Sequence, residues 1–378
     1  MSVRAENINK EIVEWAIIRN GSTLQEFYSK NPKMESWIKG DKFPTVKQLE
    51  AFTNKVHVPF GYMFLEDPPK EPIPLPFFRT GRKTGTYKVS LNVFHTIQII
   101  QDRQNWLTEY LEEFDFPDLL FVGKSDINDD HKMIVADIRT ALDLELDWAS
   151  KQNNWEGALD FITNRIEEAG VIVTFNGIVG TNTHRVIDPE ECRGFVLVNK
   201  KAPFLFINSA DAKAAQMFTL IHELAHVWLG ESAGFDNKNL LPADNPIEKL
   251  CDLIAAEFLV PEVYLLQKWK TSQNLLYLSR IFKVSPIVVA RRALDLKLIS
   301  KIQFFAFYNN YIAEVIQKKT LQGSGGNFYA TAKKRVSLRF ASFVNSAVQN
   351  NKLLYRDAYK LTNLKGDTYN KFVNEYLY

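Results

Sequence analysis

Apolar residues fall at helical spacing through most of this chain and gather into short, β-rich runs at only three places. Over Ala5–Arg19 they return every three to four residues, the period of a helix with one buried face. Ser22 and Thr23 precede Leu24, and Glu26 follows Thr23 by three, which reads as the capped start of a second helix. Pro32–Gly40 and Pro44–Val56 read as a third and fourth helix. The same period runs through Val93–Phe114, Met133–Leu144, Trp155–Ile166, Ala210–Leu229 and Ile247–Pro261. Gly170–Phe175, Gly194–Val198 and Phe204–Ile207 are short, β-rich runs and predict strands. Downstream, Leu275, Leu278, Ile281 and Phe282 form one apolar stripe and Val288, Val289, Ala293 and Leu294 a second. Val284-Ser285-Pro286 makes the turn between them, with Arg280, Arg291 and Arg292 expected to be exposed. The expected fold class is α+β and mostly helical, with a small sheet.

Two stretches interrupt the pattern. Residues 67–88 carry Pro68, Pro69, Pro72, Pro74 and Pro76, which favour a stiff extended connector, then Arg79, Arg82, Lys83 and Lys88 among glycines. Gly323–Gly326 predicts a break before the last helical region. Composition adds bounds: 378 residues, 46% hydrophobic and 24% charged, suit a globular protein of two or three domains. The chain shows no signal stretch and no run of membrane-span length, and two cysteines make no disulfide framework. The expectation is a cytoplasmic protein with no membrane partner. The net charge of +2 says little, but basic residues outnumber acidic ones beyond residue 315, with Phe and Tyr interleaved. That mix suits nucleic acid, an acidic partner or a solvated face.

The most informative residues are 222–226, His-Glu-Leu-Ala-His. Four residues is a little over one helical turn, so His222 and His226 project from one face and can share a Zn²⁺ ion. Glu223 stands where a carboxylate can take a proton from an attacking water, the logic of the zinc-peptidase signature. A catalytic zinc takes three protein ligands and keeps one position for water. In the next helix Glu248 is the expected third ligand, and Asp252, one turn on, the acceptor for the spare N–H of a zinc histidine. Two rivals stay open. Glu257 lies nine residues, two and a half turns, past Glu248 and so faces the other way. Cys251 is the softer donor. For the oxyanion, His184, Arg185, Arg193 and Tyr264 are unranked candidates.

The run FTLIHELAHVWLG, followed by E-x-x-C-D-x-x-A-A-E-F-L-V-P, resembles the ImmA/IrrE family of bacterial and phage metallopeptidases. Arg193-Gly194-Phe195 and Ala202–Asn208 add to the resemblance, strongest over about 155–300. It implies a zincin-like core, zinc on His222, His226 and Glu248, and Glu223 as general base. It also implies regulation by proteolysis, with a transcriptional repressor or operon-neighbour protein as substrate in a stress, phage-defence or toxin–antitoxin setting. Near the start, the spacing Trp37, Gly40, Pro44-Thr45 resembles an Xre helix-turn-helix, a common fusion partner in this family. In such a module Lys33, Ser36, Lys39 and Lys42 are nearest the DNA. This segment lacks the basic face of a usual DNA reader, and its turn at Ser29–Pro32 is shortened.

The expected domains are a helix-turn-helix domain at 1–66, a linker at 67–90 and a helical region with the peptidase core at 91–268. A helix-turn-helix-like region at 269–322 and a basic helical region at 323–378 follow. The leading function is a regulatory zinc endopeptidase. The alternatives are a DNA-binding regulator or antitoxin with a vestigial or structural zinc site, and a zinc hydrolase of small amides. Glu223 favours the first, because a purely structural site has no use for it.

Overall fold

The structure is a computed structural model and describes residues 3–39, 41–71, 77–78, 89–235, 245–319 and 328–377. Two compact units divide the chain, Met1–Pro74 with Lys88–His95 and Leu75–Tyr87 with Thr96–Tyr378. The first holds helices α1 (Lys10–Arg19), α2 (Leu24–Lys30), α3 (Pro32–Lys39) and α4 (Val46–Lys55). The starts of α1, α2 and α4 are set by side chains that accept orphan amides. Asn9 caps α1, while Thr23 with Glu26 and Thr45 with Gln48 close reciprocal capping boxes on α2 and α4. The helix expected from Ala5 therefore begins at Lys10: Arg4 bridges to Thr45, and Asn9 takes the amide of Glu11. Ile12, Ala16, Ile17, Phe27, Leu49 and Phe52 form the core of this unit.

In the second unit, strand β1 (Phe77–Phe78) comes from the proline-rich stretch. The rest of that stretch's proline and basic run, at 72–76 and 79–88, lies outside the described residues. Helix α5 (Leu91–Glu113) enters this unit, and α6 (His131–Ala141) and α7 (Trp155–Glu168) follow. Then come β2 (Ile172–Phe175), a hairpin of β3 (Ile178–Val179) and β4 (Asn182–Val186), β5 (Gly194–Leu197) and β6 (Phe204–Ile207). Helix α8 (Lys213–Leu229), β7 (Ala233–Phe235) and α9 (Pro246–Leu259) complete the site region.

The main sheet runs β1-β7-β5-β6-β2. β5 is antiparallel to β6 and β7, β6 is parallel to β2, and β7 is parallel to β1. Strands β2, β5 and β6 are buried at every residue, which is why the sequence shows apolar runs there instead of alternation. Of the three runs, β5 and β6 each have a neighbour on both sides, and β2 lies at one edge of the sheet. Val196, Leu205 and Ile207 share a core with Leu220, Leu224 and Trp228 of α8.

Beyond α9 lie α10 (Glu262–Trp269), α11 (Leu275–Phe282), α12 (Pro286–Asp295) and α13 (Lys301–Lys319). The last four are α14 (Phe328–Val336), α15 (Leu338–Gln349), α16 (Tyr355–Thr362) and α17 (Asp367–Tyr376). Ser285 caps α12 with Pro286 at its first turn, as the Val284-Ser285-Pro286 run suggests. Arg292, expected to be exposed, is buried at 4% exposure and pairs with Glu257. A guanidinium placed there by the helix period has to enter the core, and it stays because a carboxylate meets it.

The C-terminal helices are anchored by polar contacts. Buried Arg103 donates to the carbonyls of Leu361 and Arg335. Ser337 donates to Glu167, and Lys334 pairs with Asp160 at 2.6 Å. Part of the basic excess noted in the sequence therefore serves this packing. The Gly323–Gly326 break lies outside the described residues.

Candidate metal centre

Helix α8 is buried from Gln216 to Trp228 without interruption. Its C-terminus stops at Gly230, which takes φ 74°, a left-handed backbone that glycine adopts without a Cβ penalty. Its N-terminus has no side-chain cap. Asp211 stands before the helix, 3.7 Å from Arg193, and Ala212 is the cap residue with no side-chain bond. Helix α9 begins where expected, with Asn245 accepting the amide of Ile247 and Pro246 in the first turn.

The packing of α8 on α9 brings His222, Glu223, His226, Glu248 and Asp252 together. His222 Nδ1 is 3.0 Å from Asp252 Oδ1, and its Nε2 is 3.0 Å from Glu248 Oε2. His226 Nε2 is 3.2 Å from Glu248 Oε1. His222, His226, Glu248 and Glu223 sit in low dielectric, and their charges respond accordingly. Burial opposes a charge on His222, but hydrogen bonds to Asp252 and Glu248 outweigh it and push the imidazole up to about 10. Burial would raise Glu248, yet its contacts with His222 and His226 hold it at about 2. His226 is lowered, chiefly by burial. Glu223 is raised well above the ordinary carboxylate range, again chiefly by burial, with Glu248 adding.

The partners of these groups are incomplete. Both oxygens of Glu223, both ring nitrogens of His226 and Oε1 of Glu248 are buried and form no hydrogen bond among the described residues. The 3.2 Å approach of His226 to Glu248 is an ion-pair distance without hydrogen-bond geometry. Buried polar atoms left this way cost about 1–3 kcal/mol each, so the cluster is unfavourable unless something else binds it. A tetrahedral zinc with ligand bonds of about 2.0–2.1 Å spaces its N and O donors about 3.3 Å apart. The two His–Glu248 distances, one to each carboxylate oxygen, are close to that spacing, and two imidazoles with a carboxylate form a donor set zinc accepts. The residues fit the ion.

Cys251, on the same helix, also points here. Donor atoms of His222, His226 and Cys251 all lie within 4.8 Å of one another. Burial, and then the carboxylates of Glu248, Glu223 and Asp252, raise its thiol well above the usual range. Glu257 is elsewhere. It accepts from Arg292 and from the amide of Glu262, as the two-and-a-half-turn offset requires.

The sequence passed over one contact. A Cβ on Gly194 would lie 3.3 Å from Glu223 Oε1 and within 3.0 Å of Thr219 and the Phe206 carbonyl. Strand β5 can therefore approach Glu223 only with glycine there. The Arg-Gly-Phe run was visible in the sequence, but the need for glycine becomes visible only once β5 crosses α8.

Among the oxyanion candidates, Arg193 precedes Gly194 and faces Asp211, and the Tyr264 hydroxyl goes to Ser150 at 3.5 Å. His184 and Arg185 lie on β4, His184 exposed. In the first unit, Lys33 and Lys42 are exposed, and Ser36 spends its hydroxyl on the Lys33 carbonyl at 2.7 Å. The Lys39 side chain lies outside the described residues. None of the described helices is long and apolar enough to cross a membrane.

Comparison with known families agrees with the site. Residues 166–294, about a third of the chain, match the M78 peptidase family through its IrrE N-terminal-like domain. The matched stretch runs from the end of α7 to α12 and contains all five clustered residues. It supports the ImmA/IrrE family and a domain of metallopeptidase type. Residues 336–375 match a domain of unknown function, DUF8813. No curated protein and no solved structure matches the chain.

Proposed function

We propose that this protein is a regulatory zinc endopeptidase. Its substrate on this reading is a transcriptional repressor or a protein encoded beside it. The observation that carries the reading is the set of buried donors around His226, Glu223 and Glu248 that have no hydrogen-bond partner among the described residues. A structural ion pair would satisfy its members, and these are not satisfied.

On this reading His222, His226 and Glu248 hold the ion. Bound there, Zn²⁺ supplies a Lewis acid that polarises a peptide carbonyl and makes water a better nucleophile near neutral pH. Asp252 accepts the Nδ1–H of His222, which fixes the tautomer and frees Nε2 for ligation. Glu223 takes the proton of the attacking water and hands it to the leaving amine. Burial makes its carboxylate a stronger base than a solvated one and so suits it to that task.

The helix-turn-helix character of 1–66 and its contact with DNA through Lys33, Ser36, Lys39 and Lys42 belong to the same proposal. They would bring the protease to DNA-bound targets. Co-expression with the protein encoded beside it tests the reading. Wild type should cut that protein and Glu223→Gln should not. Equal cutting by both would remove Glu223 as the base, and no cutting of any neighbour would favour the regulator alternative.

A further inference from the structure

Cys251 is one turn of α9 beyond Glu248, at a rise of about 4.5 Å, and both residues turn toward α8. It is fully buried, as are both histidines. Its sulfur and one nitrogen of each histidine lie within 4.8 Å of one another. With Zn–S of about 2.3 Å and Zn–N of about 2.0–2.1 Å, a tetrahedral ion spaces sulfur and nitrogen donors about 3.6 Å apart. The three atoms need to draw in by at most about 1 Å to share one ion. His226, 1% exposed with neither ring nitrogen hydrogen-bonded, faces this space.

Catalytic zinc keeps one ligand position open, and structural zinc fills all four with protein donors.

We propose that the Cys251 thiolate is a fourth protein ligand that closes the metal site in the resting protein. This rests on the reading of His222, His226 and Glu248 as ligands. On ligation the S–H bond breaks, a metal–sulfur bond forms, and the proton is released to solvent. The closed form is silent because the open position is filled. Release of the sulfur from the ion opens that position. A protease that must wait for a signal then has its latch inside the site.

The test uses the full chain, stripped of metal and reloaded with Co²⁺ alone. A thiolate ligand gives an intense near-ultraviolet sulfur-to-cobalt charge-transfer band, which nitrogen and oxygen donors do not. The expected result is one cobalt per chain with that band. Cys251→Ala should keep the cobalt and lose the band. The chain has only one other cysteine, Cys192, so a band retained in Cys192→Ala assigns it to Cys251 even if Cys251→Ala fails to fold. Cobalt bound to wild type without the band would overturn the proposal and leave the three-ligand site standing. A band lost in Cys192→Ala and kept in Cys251→Ala would overturn it too. If wild type binds no cobalt, the metal site and the proposal fall together.

Discussion

Helix α9 carries two buried glutamates, and they are satisfied to different degrees. Glu257 is closed on all sides: Arg292 pairs with it, the amide of Glu262 donates to it, and Arg292 also holds the carbonyl of Val260. Glu248 has two histidines for neighbours and an oxygen with no hydrogen bond, beside a Glu223 and a His226 that have none. Both sites cost desolvation energy, but only the first recovers it within the protein. The first is a brace between α9 and α12. The second has the form of a site completed by something added to it.

The sharpest way to test this contrast is at Glu223. Glu223→Gln should keep the metal and the fold while turnover falls by about 10²–10⁴-fold, the usual worth of a general base. Cleavage assays and metal content on the same preparation check it. At the brace the effect should be on stability. Arg292→Leu strands Glu257 in the core and should cost about 3–5 kcal/mol in urea unfolding, with the metal still bound at low denaturant.

Added Zn²⁺ should do the reverse for the open site. At about a thousand times its dissociation constant it should stabilise wild type by about 4 kcal/mol, and Glu248→Ala should lose that gain. A partly buried carboxylate away from the site separates desolvation from metal binding. Glu167, between α7 and Ser337, is pushed up to about 7, mainly by burial. The folded form thus holds its proton more tightly than the unfolded chain does. Its cost is absent at low pH, grows as pH rises from the ordinary carboxylate value toward 7, and then levels off. Glu167→Gln should be more stable than wild type by about 3 kcal/mol at pH 8. The gap should shrink by about 1.4 kcal/mol per unit as pH falls below 7. The smallest effect belongs to Asp252→Asn, which should weaken metal affinity about 10–100-fold without abolishing it. Isothermal titration with zinc reads it directly.

Much of this was legible in the sequence, for identifiable reasons. The caps at Thr23, Asn245 and Ser285 act within a few residues, so local chemistry alone sets α2, α9 and α12. The pairing of His222 with Glu248 and Asp252 followed from helix periodicity on two neighbouring helices. What was not legible depended on distant contacts. Nothing near Arg292 in sequence indicates that it enters the core, because its partner is 35 residues away on α9. The late start of α1 depends on Arg4 meeting Thr45. The glycine at 194 is required only because β5 crosses α8 beside Glu223.

The central claim is that the orphaned donors of α8 and α9 hold a metal ion. Elemental analysis of purified wild type, His226→Ala and Glu248→Ala tests it most directly. The account predicts one zinc per chain in the wild type and loss of it in both variants. Wild type prepared without chelator and found free of zinc, or variants that keep it in full, would contradict the claim.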